Sequence, residues 1–147
     1  MHLLPNSKKE TFRNLGAALC AQSAYMLSLG IETMDLRVKK SCENALKLAQ
    51  FLQTKKSVVL VNYPLLETSS AYEIASKQFS LGGAILTFTM EDKAKAYHLL
   101  NQLKLIKRGT NIQDNKSLAI APYHTIYAEF SDEAKKEYLL HEGMIRL

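Results

Sequence analysis

The sequence predicts an α+β fold: a small, mainly antiparallel sheet covered by helices on one face. Three observations carry that prediction. Val38, Cys42, Ala45, Leu46, Ala49 and Leu52 recur at offsets of four, three, one, three and three, the single-face spacing of a long core helix. Two short apolar runs, the β-branched Ser57–Asn62 and the later Ala84–Thr89, are set off by Pro64 and by Gly82-Gly83, as strands are. Helical patterns joined by short connections lie between and after them, an order that favours a compact layered domain.

Taken in order, Met1–Asn14 is polar and reads as an extended leading stretch. Leu15–Leu29 is rich in Ala, Leu and Met, so it favours helix, with Leu19, Met26 and Leu29 on one side and Gln22 and Ser23 on another. Such a helix exposes apolar surface unless something packs on it. Gly30 separates it from the long helix, for which Thr33 offers an N-cap hydroxyl. Lys55 and Lys56 fall where that helix ends, beside its negative pole.

Ser57–Asn62 then reads as a buried strand stopped before Pro64. Ser70–Glu73 has capping-box spacing and opens a short helix through Lys77. Gly82-Gly83 supplies a turn or a close backbone approach, but lacks the spaced glycines and helix start of a phosphate-cradling loop. Thr89 reads as the N-cap of a helix with Glu91 and Asp92 in its first turn and Ala96, Leu99, Leu100 and Leu103 on one apolar side. Leu105-Ile106 and Leu118–Ile120 are short strand candidates flanking a polar loop at Gly109–Lys116. Ser131 starts a last helix to about Leu140, and Gly143 releases the chain into a strand over Met144–Leu147.

Composition narrows the function classes. A chain of 147 residues that is 47% hydrophobic has the length and apolar content for a folded domain with a real core. No apolar run approaches the ~20 residues that span a bilayer, and the apolar part of Met1–Asn6 is too short for a signal peptide. The net charge of +5 is spread over pairs such as Lys39-Lys40, Lys107-Arg108 and Lys135-Lys136, with acids nearby. No aromatic residues interleave with them as a base-stacking surface requires, so nucleic acid is not the expected partner. Cys20 and Cys42 sit on apolar helical segments and read as buried free thiols of a reducing cytoplasm. His2, His98, His124 and His141 have no metal-ligand spacing among themselves or with the cysteines.

Particular motifs say more. Leu15-Gly16-Ala17-Ala18, Leu29-Gly30-Ile31-Glu32-Thr33-Met34, Leu36-Arg37 and Glu43-Asn44-Ala45 resemble the linker helix and adjoining segment of the Cys/Met-metabolism enzymes that use pyridoxal phosphate. The resemblance resumes at Asn62–Leu66, at Gly82-Gly83-Ala84 and from Asn111 to Leu147, and leans toward the O-acetylhomoserine sulfhydrylase branch. It spans nearly everything from Phe12 onward, yet only the C-terminal part of such an enzyme. The resemblance thus implies a fragment: residues 1–30 as leading segment and linker helix, and 31–147 as the C-terminal small domain of a larger, homotetrameric cytoplasmic enzyme.

That family needs a lysine to hold pyridoxal 5'-phosphate and groups to grip its phosphate. No Ser-x-Thr-Lys site occurs here; Thr54-Lys55 echoes it, but at the end of the long helix, where Lys55 reads as a surface residue. The cofactor is therefore expected on the missing N-terminal domain, and the fragment alone is expected to be inactive. What the resemblance leaves to this portion is the substrate carboxylate. Arg146, in Ile145-Arg146-Leu147, matches the carboxylate-binding arginine of the family's Arg-Leu-Ser-Val-Gly motif. Asn111 matches a loop position that meets the same carboxylate.

Read without the resemblance, Arg146 is a solvated arginine on an edge strand and Asn111 an ordinary turn residue. Two departures stand out: Gln113 replaces the family's glycine, and Ala121-Pro122-Tyr123-His124-Thr125 replaces His-Pro-Ala-Ser-Thr. Tyr63 and Tyr123 are candidates to line a pocket, but aromatic residues beside proline are more often packing or turn residues. The implied reaction is γ-replacement of acetate on O-acetylhomoserine by sulfide or another sulfur donor, giving homocysteine. The alternatives are a methionine γ-lyase or cystathionine γ-synthase, or, from another class, a self-standing α+β module for an anionic partner.

Overall fold

A computed structural model describes residues 13–16 and 18–147, so the expected extended stretch at Met1–Asn14 falls almost wholly outside the described residues. The chain divides into two compact units, Met1–Asp35 and Leu36–Leu147.

The described residues of the first unit include a single turn at Arg13–Leu15 and helix α1 at Ala21–Glu32. No residue of α1 is buried, and Tyr25, Met26, Leu27 and Ile31 are all more than half exposed, the open apolar surface that the composition foretold. Two details differ from expectation. Gly30 lies inside α1 rather than ending it, since one exposed glycine costs a helix only about 1 kcal/mol, and the break comes at Thr33, which is the C-cap of α1. Cys20 is exposed, not buried: it stands at the N-cap position of α1, a helix with no buried residue, and its thiol donates to Ser23 Oγ at 3.2 Å.

The second unit opens with most of α2, Met34–Gln53, which buries Cys42, Ala45, Ala49 and Leu52, the stripe its spacing selects. The strands β1 (Val58–Asn62), β2 (Thr87–Met90) and β5 (Met144–Arg146) form an antiparallel sheet in the order β1-β2-β5. Helix α3 is Tyr72–Gln78 and α4 is Lys93–Gln102. A two-residue parallel pair, β3 (Lys107–Arg108) with β4 (Leu118–Ala119), lies beyond β5, joined to it by a bridge between Ile120 and Arg146. Helix α5 is Asp132–Glu137.

The sheet's pleat decides which side chains meet the helices. Phe88 pairs with Ile145, and both join Ala49, Leu52, Ala96 and Leu100 in the core, so this face carries the helical layer. Thr87 pairs with Arg146, one residue out of phase, and these two point to the opposite face. The expected α+β architecture is present.

Several elements are offset from their sequence signals. β1 is an edge strand with Val59 and Leu60 exposed, not a buried strand: it has one partner, and a bulge between Val58 and Leu60. The strand read at Ala84–Thr89 is β2, shifted toward Met90, which places Thr89 in the buried sheet. Asp92, whose carboxylate accepts from the Lys95 N–H at 2.7 Å, is therefore the cap of α4. Ala71, not Ser70, precedes α3, and Ser69 instead accepts from the Ala71 N–H. The strand expected at Leu105-Ile106 forms two residues later, because Ile106 is drawn against the core. Ser131 caps α5 as expected, but the helix stops at Glu137. The Leu140 N–H there reaches back to the Lys135 carbonyl around Leu139 at φ 54°, a Schellman ending.

Two glycines fix close approaches. A Cβ on Gly82 would lie 2.7 Å from the ring of buried Tyr63, whose hydroxyl donates to the Gly83 carbonyl at 2.9 Å. A Cβ on Gly143 would fall on the Met90 carbonyl oxygen where β5 begins. Gly143→Ala is therefore expected to cost about 2 kcal/mol, read as a lower urea midpoint with an unchanged slope; an unchanged midpoint would show that the β2–β5 contact yields easily.

Candidate functional site

Arg146 is held by its backbone before its side chain does anything. Its N–H donates to the Ile120 carbonyl at 2.8 Å, and its carbonyl accepts from the Ile120 N–H at 2.9 Å. On the other side of the strand, Leu147 and Leu86 exchange both of their backbone bonds at 2.9 Å. Arg146 is thus not on a free edge: β5 has neighbours on both sides there. Its half-buried side chain leaves the sheet on the face away from the helices, and Nη2 donates to Thr110 Oγ1 at 2.9 Å.

Thr110 opens the loop between β3 and β4. The Gly109 N–H donates to the Ala119 carbonyl at 3.2 Å, and the Lys107 N–H to the Ser117 carbonyl at 3.0 Å, so the loop is closed at its base. Within it, Asn111 Oδ1 accepts from the Ile112 N–H and Asn111 Nδ2 donates to Asp114 Oδ2, both at 2.9 Å. Asp114 Oδ1 in turn accepts from the Lys116 N–H at 2.9 Å, with the Lys116 ammonium 3.6 Å away. The Asn111 side chain, and after it the Lys116 N–H, hold the Asp114 carboxyl below the usual carboxylate range. Gln113 sits at φ 57°, the left-handed conformation that a glycine adopts freely and a side chain takes at a cost of about 1 kcal/mol.

The structure therefore brings Arg146 and the Asn111 loop together, with Thr110 as the direct link. Asn111 spends its side chain on the loop's own turn. Thr110 was not legible as a site residue; its one signal is its place directly before Asn111. A guanidinium has five N–H donors in a planar fork. With one given to Thr110, an adjacent pair is still free to take a carboxylate in two parallel bonds.

The neighbouring departures build packing. Pro122–His124 form a 3-10 turn, in which Thr125 Oγ1 donates to the Ala121 carbonyl at 2.7 Å. His124 Nε2 lies 3.0 Å from the Glu142 carbonyl, its ring against Tyr97 and Tyr123. A cavity of about 180 Å³ between α2, α4 and the sheet is lined by apolar side chains, among them Leu48, Phe88, Leu99 and Leu103. It has no polar group to orient a substrate. Among the described residues, no group of three His, Cys, Asp or Glu side chains could hold a metal ion, and no helix is long and apolar enough to cross a membrane.

Lys135, Lys55 and the Gly82-Gly83 turn do not fit pyridoxal phosphate. Among the described residues Lys135 is the buried lysine, but its Nζ is committed to the Ala128 carbonyl at 3.3 Å and lies 4.5 Å from the centre of the Tyr123 ring. Lys55 is exposed beyond the end of α2, with Nζ 4.0 Å over the Phe51 ring. The Gly82-Gly83 turn is filled by Tyr63, leaving no cradle for a phosphate.

The family profile described as Cys/Met metabolism PLP-dependent enzyme matches residues 4–147. The O-succinylhomoserine sulfhydrylase of Mycobacterium tuberculosis is 34% identical over 144 residues, covering 95% of this chain and 36% of that protein. A solved O-acetylhomoserine sulfhydrylase of Wolinella succinogenes aligns with a TM-score of 0.79 and 44% identity, over 97% of this chain and 38% of its own. A putative O-acetylhomoserine (thiol)-lyase of Campylobacter jejuni, solved with N'-pyridoxyl-lysine-5'-monophosphate, aligns at a TM-score of 0.88 and 30% identity, over 97% of this chain and 34% of its own. The chain spans about a third of the length of the curated relatives it matches.

The Asp114 network gives the loop a pH signature. A carboxyl held below its ordinary value stabilises the loop above the usual carboxylate range and loses that contribution as pH falls through the lower folded-state value. The Lys116 amide resonance is therefore expected to titrate with a midpoint below that of an aspartate in an unfolded peptide. A midpoint at or above it would contradict the bonds assigned to Asp114.

Proposed function

The chain belongs to the Cys/Met-metabolism PLP-dependent enzymes, and from that premise we propose that it is the carboxylate-recognising C-terminal portion of an O-acetylhomoserine sulfhydrylase-like enzyme. The whole enzyme replaces the γ-acetate of O-acetylhomoserine with sulfide or another sulfur donor to give homocysteine. Its cofactor lysine comes from polypeptide outside these residues. Residues 31–147 form the substrate-recognition domain and residues 1–30 the linker. The enzyme is cytoplasmic and works as a homotetramer.

The observation that carries this reading is the placement of Arg146. Its guanidinium leaves a doubly paired strand on the sheet's non-helical face and meets the loop that bears Asn111. Arg146 binds the amino-acid carboxylate through its free donor pair, and the Asn111 loop forms the wall beside it. Fixing the carboxylate fixes the amino acid's orientation, and with it the direction in which its α-proton points. The exposed apolar side of α1 supports the same reading, since a linker helix in a larger enzyme has further polypeptide to pack against.

Charge-assisted pairs of this kind contribute about 1.5–3 kcal/mol. Arg146→Ala in the full-length enzyme is thus expected to raise the KM for O-acetylhomoserine about 10- to 100-fold. An unchanged KM would remove Arg146 from the site. Turnover of O-acetylhomoserine with sulfide should exceed that of methionine or cysteine; the reverse order would make the enzyme a γ-lyase.

A further inference from the structure

We propose that Thr110 is a positioning residue for Arg146, setting the direction in which the guanidinium presents its free donor pair. The inference rests on the reading of Arg146 as the carboxylate-binding residue and adds to it a residue outside the motifs that suggested that role. The two residues are 36 positions apart and meet through a single bond, Arg146 Nη2 to Thr110 Oγ1 at 2.9 Å.

An arginine side chain on a sheet face has several rotatable bonds, and a partner that selects one rotamer removes freedom that a ligand would otherwise have to remove. The chemistry of the partner matters. A carboxylate in this place would neutralise the guanidinium and compete with the substrate. A neutral hydroxyl accepts one N–H and leaves the full positive charge to attract an anion. Threonine adds stiffness of its own, since its β-branch restricts χ1.

The loop in turn fixes the hydroxyl. The ladder below Gly109 closes the base, and the bonds among Asn111, Ile112, Asp114 and Lys116 brace the turn on the C-terminal side of Thr110. Asn111 therefore acts on the site through the loop, and Thr110 acts on Arg146 directly.

Thr110→Val keeps the β-branched shape and removes the acceptor, Thr110→Ser restores the acceptor, and Thr110→Ala serves if valine disturbs the loop. Two readouts on the 147-residue chain separate the possibilities. The first is NMR of the Arg146 guanidinium. Slow rotation with resolved Nη resonances is expected in the parent and in Thr110→Ser, and fast averaging in Thr110→Val; the same regime in all three overturns the proposal. The second is titration with O-acetylhomoserine, monitored on the Arg146 Nε resonance and on backbone amides of β5. Thr110→Val is expected to weaken binding about 3- to 10-fold, with recovery in Thr110→Ser. Equal affinity in Thr110→Val, with binding abolished by Arg146→Gln, overturns the positioning role and leaves the carboxylate site standing. If Arg146→Gln also binds as the parent does, monitored on the amides, it is the carboxylate reading that fails, and the rotation measurement still decides whether Thr110 holds Arg146.

Discussion

The candidate site depends on one stretch of backbone, the doubly paired end of β5. Leu147 is tied to Leu86 on one side of the strand and Arg146 to Ile120 on the other, so neither residue can move without breaking ladder bonds. The pleat then sends Ile145 into the helical layer and Arg146 out of the opposite face. Burial of Ile145 and presentation of Arg146 are two results of one register. A slip of a single residue would bury the guanidinium and expose the isoleucine, so the hydrophobic core enforces the position of the charge. Gly143 adds to this by letting β5 begin in direct contact with the Met90 carbonyl.

Much of the fold was legible because it derives from periodicity. The stripe from Val38 to Leu52 and the set Ala96, Leu99, Leu100 and Leu103 mark the faces that α2 and α4 bury or half-bury. What misled were signals with two physical readings. The run Val58-Val59-Leu60-Val61 has the composition of a buried strand, yet whether such a strand has one neighbour or two is settled by distant pairing that its own residues do not encode. Thr89 and Asp92 are both acceptable caps, and the choice fell to Asp92 because the sheet claims Thr89 first. Gly30 looked like a break, yet a helix absorbs one glycine more cheaply than it leaves two ends uncapped.

The candidate site was legible only in part, and by resemblance more than by physics. Neither Arg146 nor Asn111 stands out by type or spacing. Once the fold is known, the bond from Arg146 to Thr110 draws the strand and the loop into one place. Gln113 illustrates a departure that sequence alone overstates: the side chain changes, while the backbone keeps the left-handed turn that glycine would give. The residues from Ala121 to Thr125 look chemically rich, with a tyrosine and a histidine, but Thr125 Oγ1 is given to the Ala121 carbonyl, His124 Nε2 meets the Glu142 carbonyl, and the Tyr123 and His124 rings pack on each other. The side-chain bond from Arg146 to Thr110 is instead a link between a strand and a loop 36 positions apart.

The most direct measurement is a structure of the full-length enzyme with its amino-acid substrate bound. Two oxygens of the substrate carboxylate are expected within about 3 Å of two guanidinium nitrogens of Arg146. A carboxylate bound elsewhere, with Arg146 turned away from it, would contradict the assigned role of Arg146 at its root.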